Sequence, residues 1–410
     1  MPFLSARRFA AALLLIPVLA GAMPVRAADT PNDALIGGKF DLALRYRYEK
    51  VDQDGFAKSA RASTLRTYLG YGTDIWRGFS AYAAMQGVKS IGSDLYNSTV
   101  NARTQFPVVA DPEVIDLDQA YLQYASPWDT TARVGRQRII YDNHRFIGNV
   151  GFRQNEQTYE AARAINMSLP DTVADYVFIQ NVNRIFGPHA PAGPNDGDFP
   201  MRSNVVHVAY TGFKPVTITG YAYLLDFLRQ RDSGLSTATY GLRLAGEYSI
   251  DDDWKALYTG EYARQSAFAN NPAHYGLNYY LLEGGPAYGP VAAKVGYEVL
   301  EGNGKVAVQT PLATLHAFQG WVDQFLTTPA NGVADLYLSA STAIEDVKMV
   351  AVYHDFDADR GGAHLGREWD ASVSRTFFDH YTLQFEFGDY IADTFKTDTK
   401  KYWATLIVNY

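Results

Sequence analysis

Five arginines fall between Arg133 and Arg153, and a sixth follows at Arg163, within the stretch TARVGRQRIIYDNHRFIGNVGFRQNEQTYEAARAI (131–165). Guanidinium groups at this density suit one chemistry above others, the forked hydrogen bond to a carboxylate or phosphate. Apolar and aromatic residues are interleaved among them. Two strand-like segments, 131–139 and 157–166, flank a middle rich in Gly and Asn. Such a segment can cross a membrane wall, fold inward and return. Whether its arginines meet a nucleic acid, a phosphate or an acidic solute depends on the elements that hold them.

The N-terminus gives the compartment. Arg7 and Arg8 precede an apolar run from Phe9 to Ala22, with small residues at Ala27 and Ala28. This is the pattern of a secretory signal peptide over residues 1–28. The apolar run is short for a spanning helix, which needs roughly 20 residues. Export removes nucleic acid as a natural partner. Beyond residue 28 there are 33 Lys and Arg against 44 Asp and Glu, and no cysteine, so neither a disulfide nor a thiolate site is available. The 29 Tyr, 22 Phe, 6 Trp and 34 Gly match an outer-membrane β-barrel, with its aromatic girdles and close strand crossings.

Alternation of apolar and polar residues then has to repeat. FDLALRYRYE (40–49) turns Leu42, Leu44, Tyr46 and Tyr48 one way and Asp41, Arg45, Arg47 and Glu49 the other. Similar segments occur at 39–50, 62–72, 77–88, 116–125, 131–139, 157–166, 172–182, 203–211 and 215–226. They continue at 237–248, 253–264, 276–285, 290–299, 333–344, 346–357, 366–376, 379–389 and 399–410. These make eighteen candidate strands of nine to twelve residues, the length a tilted strand needs to cross hydrocarbon. Joins such as 73–76, 126–130, 249–252 and 377–378 are short, while the alternate joins 89–115, 140–156, 183–202 and 300–332 are long. Short turns on one side and long loops on the other are expected of a bacterial outer-membrane barrel with both termini in the periplasm. Residues 29–410 therefore read as one transmembrane antiparallel β-barrel domain, all-β, and GPHAPAGPNDGDFP (187–200) as an exposed loop.

In such a barrel charged positions must point into the lumen. Parity assigns Asp41, Arg45, Arg47, Glu49, Arg66, Arg243, Glu247, Glu368, Asp370, Gln384 and Glu386 to it. The opposite parity assigns Tyr240, Leu242, Leu244, Leu383, Phe385 and Phe387 to lipid. Strand 131–139 conflicts with this rule: Arg133 and Gln137 share one face, and Arg136 and Arg138 share the other with Val134. An arginine facing mid-membrane lipid costs about 2–4 kcal/mol, so either one snorkels at a rim or the strand is irregular. Glu160 and Arg163 pose the same difficulty. Loop 140–156 carries Asp142, His144, Arg145, Asn149, Arg153 and Gln154, and loop 300–332 carries His316, Phe318, Trp321, Asp323 and Phe325. Each loop is either solvated outside or folded inward as a constriction that sorts solutes by charge and width.

Chemistry of other kinds has little support. The eight histidines are scattered, with no Ser/His/acid grouping, no HExxH and no paired-histidine metal spacing, so no catalysis and no cofactor is expected. TonB-dependent transport is not expected, since no plug domain is read between the signal peptide and the first strand. A general or small-anion porin remains the alternative to a dedicated conduit.

Three stretches carry a family resemblance: RVGRQ…DNHRFIGNVGFRQ…TYEAARA, HAFQGWVDQFLTTPANGVADLYL (316–338) and AVYHDFDADRGGAHLGREWD (351–370). Together they resemble the bacterial alginate-export family of outer-membrane proteins. The resemblance implies an eighteen-stranded monomeric barrel in the outer-membrane lipid of a Gram-negative bacterium. It implies an arginine-rich conduit for an anionic polysaccharide, folded loops and periplasmic export partners. Carried over by position, it marks Arg133, Arg136, Gln137, Asp142, Arg145, Asn149, Arg153, Gln154, Glu160 and Arg163, with Gln319, Trp321, Asp323 and Phe325 in the second loop. Glu160 stands where an aspartate is expected and Phe152 where a tryptophan is expected.

Overall fold

A computed structural model describes residues 28–410, so the signal peptide falls outside the described residues but for Ala28. Eighteen strands follow one another: β1 (Lys39–Gln53), β2 (Ala60–Gly72), β3 (Phe79–Leu95), β4 (Val114–Ala125), β5 (Thr130–Gln137) and β6 (Thr158–Asn166). Next come β7 (Thr172–Asn183), β8 (Asp198–Tyr210), β9 (Val216–Leu225), β10 (Thr237–Ser249), β11 (Trp254–Ala267) and β12 (Gly276–Tyr288). The last six are β13 (Val291–Glu301), β14 (Gly332–Ile344), β15 (Val347–Asp357), β16 (His364–Phe377), β17 (Tyr381–Ala392) and β18 (Thr399–Asn409). Each pairs antiparallel with the next along the chain, and β18 closes on β1 from Ala43↔Asn409 to Gln53↔Thr399. The chain is a closed eighteen-stranded antiparallel β-barrel. No described helix is long and apolar enough to cross a membrane, so any crossing is made by strands.

The short turns explain how neighbours pair so tightly. Asp129, Glu345, Phe378 and Asp379 have positive φ, as does Gly289, which is the backbone hand that a short hairpin between right-twisted strands needs. A short helix, α1 (Pro31–Ile36), lies where a polar lead was expected. Thr30 and Asp33 cap each other's backbone at its start, and Ala34 O accepts Asp74 N at the first short turn.

Face assignment follows the pleat. On β14, Leu336 and Leu338 are exposed on the outer wall, while Asp335 is buried and Tyr337 and Ser339 are half-buried on the opposite face. Tyr240, Leu242 and Leu244 are likewise exposed, against inward Arg243. Such a belt would be a liability in water and is what hydrocarbon requires.

Some boundaries differ from the sequence reading. Strand β3 runs on to Leu95, β8 begins at Asp198 within the Pro- and Gly-rich stretch, and β5 stops at Gln137. Beyond Gln137 the chain leaves the wall and enters the barrel. There residues 138–157 meet 302–331, joined by Ile147↔Leu312 and by Gly148 N donating to Leu312 O at 2.9 Å. Ile139, Tyr141, Phe146 and Ile147 pack with Tyr159, Val177, Tyr221, Tyr279, Val308 and Leu312 into one apolar core inside the barrel. Both long loops fold inward.

Leu338 and Ser339 test the face assignment at nearly one depth. Leu338→Arg should cost about 2–4 kcal/mol of stability and Ser339→Arg less than about 1 kcal/mol, read by urea unfolding in lipid vesicles. Equal losses would contradict the assignment.

Candidate functional site

Strand β1 turns Arg45, Arg47 and Glu49 into the barrel, where all three are buried. Arg45 donates from Nη1 to Gly151 O (2.7 Å), from Nη2 to Arg153 O, and from Nε to Gln154 Oε1 (2.8 Å). Arg47 donates to Phe152 O (2.5 Å) and Thr405 Oγ1 (3.2 Å), and its guanidinium lies 4.2 Å over the Phe152 ring. Gln154 is tied again by Nε2 to Thr64 Oγ1 (2.9 Å) and by its N–H to Asp111 Oδ1 (2.9 Å). Residues 151–154 are thus a plug segment clamped against β1 and β2.

Two carboxylates anchor the rest of the plug. Glu156 takes Arg66 at 2.6 Å, Arg138 Nε at 2.6 Å and Asn149 Nδ2 at 2.8 Å, while Asp118 stands 3.2 Å from Arg138. Asp323, from the second loop, takes Arg153 (3.1 Å), Lys401 of β18 (2.7 Å) and His316 (2.9 Å). Arg153 also reaches Glu49 at 3.0 Å. Asp323 is therefore the node that joins both loops to the wall. Burial alone would raise both carboxyls. For Glu156 the charges of Arg138 and Arg66 outweigh it, and for Asp323 those of Lys401, His316 and Arg153 do, so both are held below the usual carboxylate range. The second loop is also pinned through its backbone, with Val322 N donating to Glu368 Oε1 (2.6 Å) and Trp321 N to Asp370 Oδ2 (3.2 Å).

The remaining marked residues are dispersed. Gln137 is buried and donates to Ala161 O at 3.0 Å. Asp142 meets His207 Nε2 at 2.9 Å. Arg145 is buried with its Nε 2.9 Å from Glu298 Oε1, off the line of a hydrogen bond, and 4.6 Å from the Phe318 ring. Arg163 pairs with Asp175 (2.6 Å) and Arg243 with Glu261 (2.6 Å), both inside and nearer the short turns. Arg133, also inside, lies 4.1 Å over the Tyr121 ring and donates to Gln123 Oε1 at 2.7 Å.

Arg136 and Glu160 need a correction: they do not line the lumen. Tyr159 belongs to the inner core, so its neighbour Glu160 faces the other way, and Arg136 pairs across from Glu160. Arg136 fills the gap where β5 ends, donating to Leu117 O (2.6 Å) and to Glu160 Oε1 (2.7 Å). Arg138 lies beyond the strand, in the inward turn, so the outer face keeps the exposed Val134 with Arg136 at the strand's end. Residues outside the marked set, Arg138, Glu156, Asp118 and Lys401, do as much to hold the plug. Lumen parity signals Lys401, and an extra residue in β4 around Asp118 hides that one.

Among the described residues Arg45, Arg47 and Arg133 have no carboxylate within 4 Å, whereas Arg66, Arg145, Arg153, Arg163 and Arg243 each have at least one. No described group of His, Asp or Glu is placed to hold a metal ion.

The family model for alginate export matches residues 38–313. The chain belongs to the alginate-export family. No curated protein sequence matches it. Its fold is also that of solved outer-membrane channels. OccAB2 of Acinetobacter baumannii superposes with a TM-score of 0.72 at 13% identity, covering 92% of this chain and 99% of that one. OpdK of Pseudomonas aeruginosa, solved with vanillate, gives 0.71 at 11% identity, covering 92% and 99%. This alginate-export protein is an outer-membrane channel of a Gram-negative bacterium, and its plug lies within the matched region except for residues 314–331 of the second loop, which include Asp323.

The depressed carboxyls set the sign of its pH response. Their contribution to the latched plug is complete above the ordinary carboxylate pKa and is lost as pH falls through their lower folded values. Single-channel conductance should stay flat from neutral pH down to about 4 and rise only below that. Asp323→Asn should bring the rise to neutral pH. A conductance step near pH 6 would contradict this.

Proposed function

We propose that the barrel passes an acidic oligo- or polysaccharide of the alginate kind by passive passage along a cationic lumen. The observation that carries this reading is the set of inward arginines without a carboxylate, Arg45 and Arg47 at the plug and Arg133 closer to the short turns. An arginine in a narrow lumen is less screened than in bulk and offers a carboxylate a forked contact. Family membership supports the same solute class. Ser339 on β14 and Ser372 and Ser374 on β16 present small hydroxyl side chains, which leave width and hydrogen-bonding partners for a hydrated sugar chain. Nothing in the barrel supplies energy, so direction would be set by periplasmic partners, and the barrel would work as a monomer.

The second reading is a small-anion porin. Arg163–Asp175, Arg243–Glu261 and Lys294–Glu283 are neutralised pairs facing the lumen, which suits small solutes crossing a local field. A structural neighbour solved with vanillate, a small carboxylate, points the same way.

Conductance of the purified protein in planar bilayers separates these readings. Anion preference in a salt gradient with block by uronate oligomers is expected, and Arg133→Gln should lower that preference roughly two-fold. Anion preference without block would favour the small-anion porin. Cation preference would overturn both.

A further inference from the structure

Arg45 and Arg47 stand two residues apart on one face of β1, and both are buried. Buried arginines ordinarily meet a carboxylate or a phosphate. These two meet neutral oxygens instead, Thr405 Oγ1 on the wall and otherwise those of four consecutive residues: the carbonyls of Gly151, Phe152 and Arg153 and the amide oxygen of Gln154. The other half of the same loop is held differently. Ile139, Tyr141, Phe146 and Ile147 sit in the apolar core, and the polar ties beside them, Asp142 to His207 and Arg145 to Glu298, already involve a carboxylate. One side of the loop is a fixed anchor and the other is bound by contacts of a kind that a ligand can exchange.

We propose that residues 151–154 are a built-in surrogate ligand: their oxygens occupy the site at which Arg45 and Arg47 bind a carboxylate of the solute, and the solute opens its path by replacing them. The idea rests on the acidic-solute reading above and adds which arginines touch the solute and what covers them in its absence. A carboxylate adds opposite charge and a two-pronged fork to what a neutral carbonyl offers a guanidinium, so the exchange favours the solute. The released carbonyls face a polar seam lined by Thr64, Asp111, Glu49 and Thr405, where water can satisfy them. The ties from Arg153 to Glu49 and Asp323 then act as a tether, so the segment swings rather than unfolds.

The test uses the full-length barrel in planar bilayers with sodium glucuronate as the probe. It compares wild type, Gln154→Ala, the pair Arg45→Gln/Arg47→Gln and the pair Arg45→Lys/Arg47→Lys, with heat-modifiable gel mobility confirming that each barrel is folded. Gln154→Ala weakens the surrogate and leaves both arginines. It should raise basal conductance, keep anion preference and lower the glucuronate concentration for half-maximal effect about three-fold. The glutamine pair should raise basal conductance while abolishing the glucuronate response and weakening anion preference. The lysine pair, which keeps charge but loses the fork, should loosen the plug and retain anion preference; with Gln154→Ala it decides the matter should the glutamine pair not fold.

An unchanged half-effect concentration in Gln154→Ala, or a wild-type glucuronate response in the glutamine pair, would overturn the surrogate. A wild-type channel without anion preference or glucuronate response would instead overturn the acidic-solute reading before any variant is compared.

Discussion

Every main-chain donor and acceptor in the wall has to find its partner in a neighbouring strand, because hydrocarbon offers none. That demand closes β18 onto β1 and leaves the barrel without a free edge. It also fixes the side chains. With one face of each strand given to lipid, charge collects on the other, and the lumen inherits the buried Arg45, Arg47, Glu49, Asp118, Glu368 and Asp370 and the half-buried Arg66. Buried groups of this kind must be satisfied by something. The two long loops supply it.

What the loops bring is matched to the wall they meet. Toward β6, β9 and β12 the wall offers Tyr159, Tyr221 and Tyr279, and the loop offers Tyr141, Phe146 and Ile147. Toward β1, β2 and β18 the wall offers guanidiniums and a lysine, and the loops offer carbonyls, Glu156 and Asp323. Hydrophobic contact is non-directional and gives up little when a solute arrives, whereas polar contacts can be traded one for one. The division gives the plug one side that stays and one side that can yield.

The barrel was legible in the sequence because its two signals are local: period-two alternation and unequal connection lengths. All eighteen strands lie where alternation placed them, within a few residues at most ends. The departures arise where alternation is broken by something distant. β5 ends early because Ile139 and Tyr141 belong to the inner core, and no neighbouring residue announces that. Arg136 and Glu160 were marked by the family resemblance, while parity left their face open; their place in the wall depends on Tyr159 packing against strands far along the chain. Arg45, Arg47, Arg66 and Arg243 were legible as inward residues by parity alone. Their partners were not, since Gly151 and Phe152 act through carbonyl oxygens that side-chain chemistry does not reveal.

Net charge illustrates the same limit. The chain carries −8 overall, which on its own argues against passing anions. Much of that negative charge lies where a solute in the lumen does not feel it. Asp251, Asp252 and Asp253 are exposed on one short turn, and exposed charges are screened beyond about 8–10 Å at physiological salt. Asp175, Glu261 and Glu283 are neutralised by adjacent cations. Arg133 has a ring and an amide beside it rather than a carboxylate, so its field reaches the lumen. Ion preference in a channel is decided by the charges left unpaired along the path, which the net charge of the whole chain does not report.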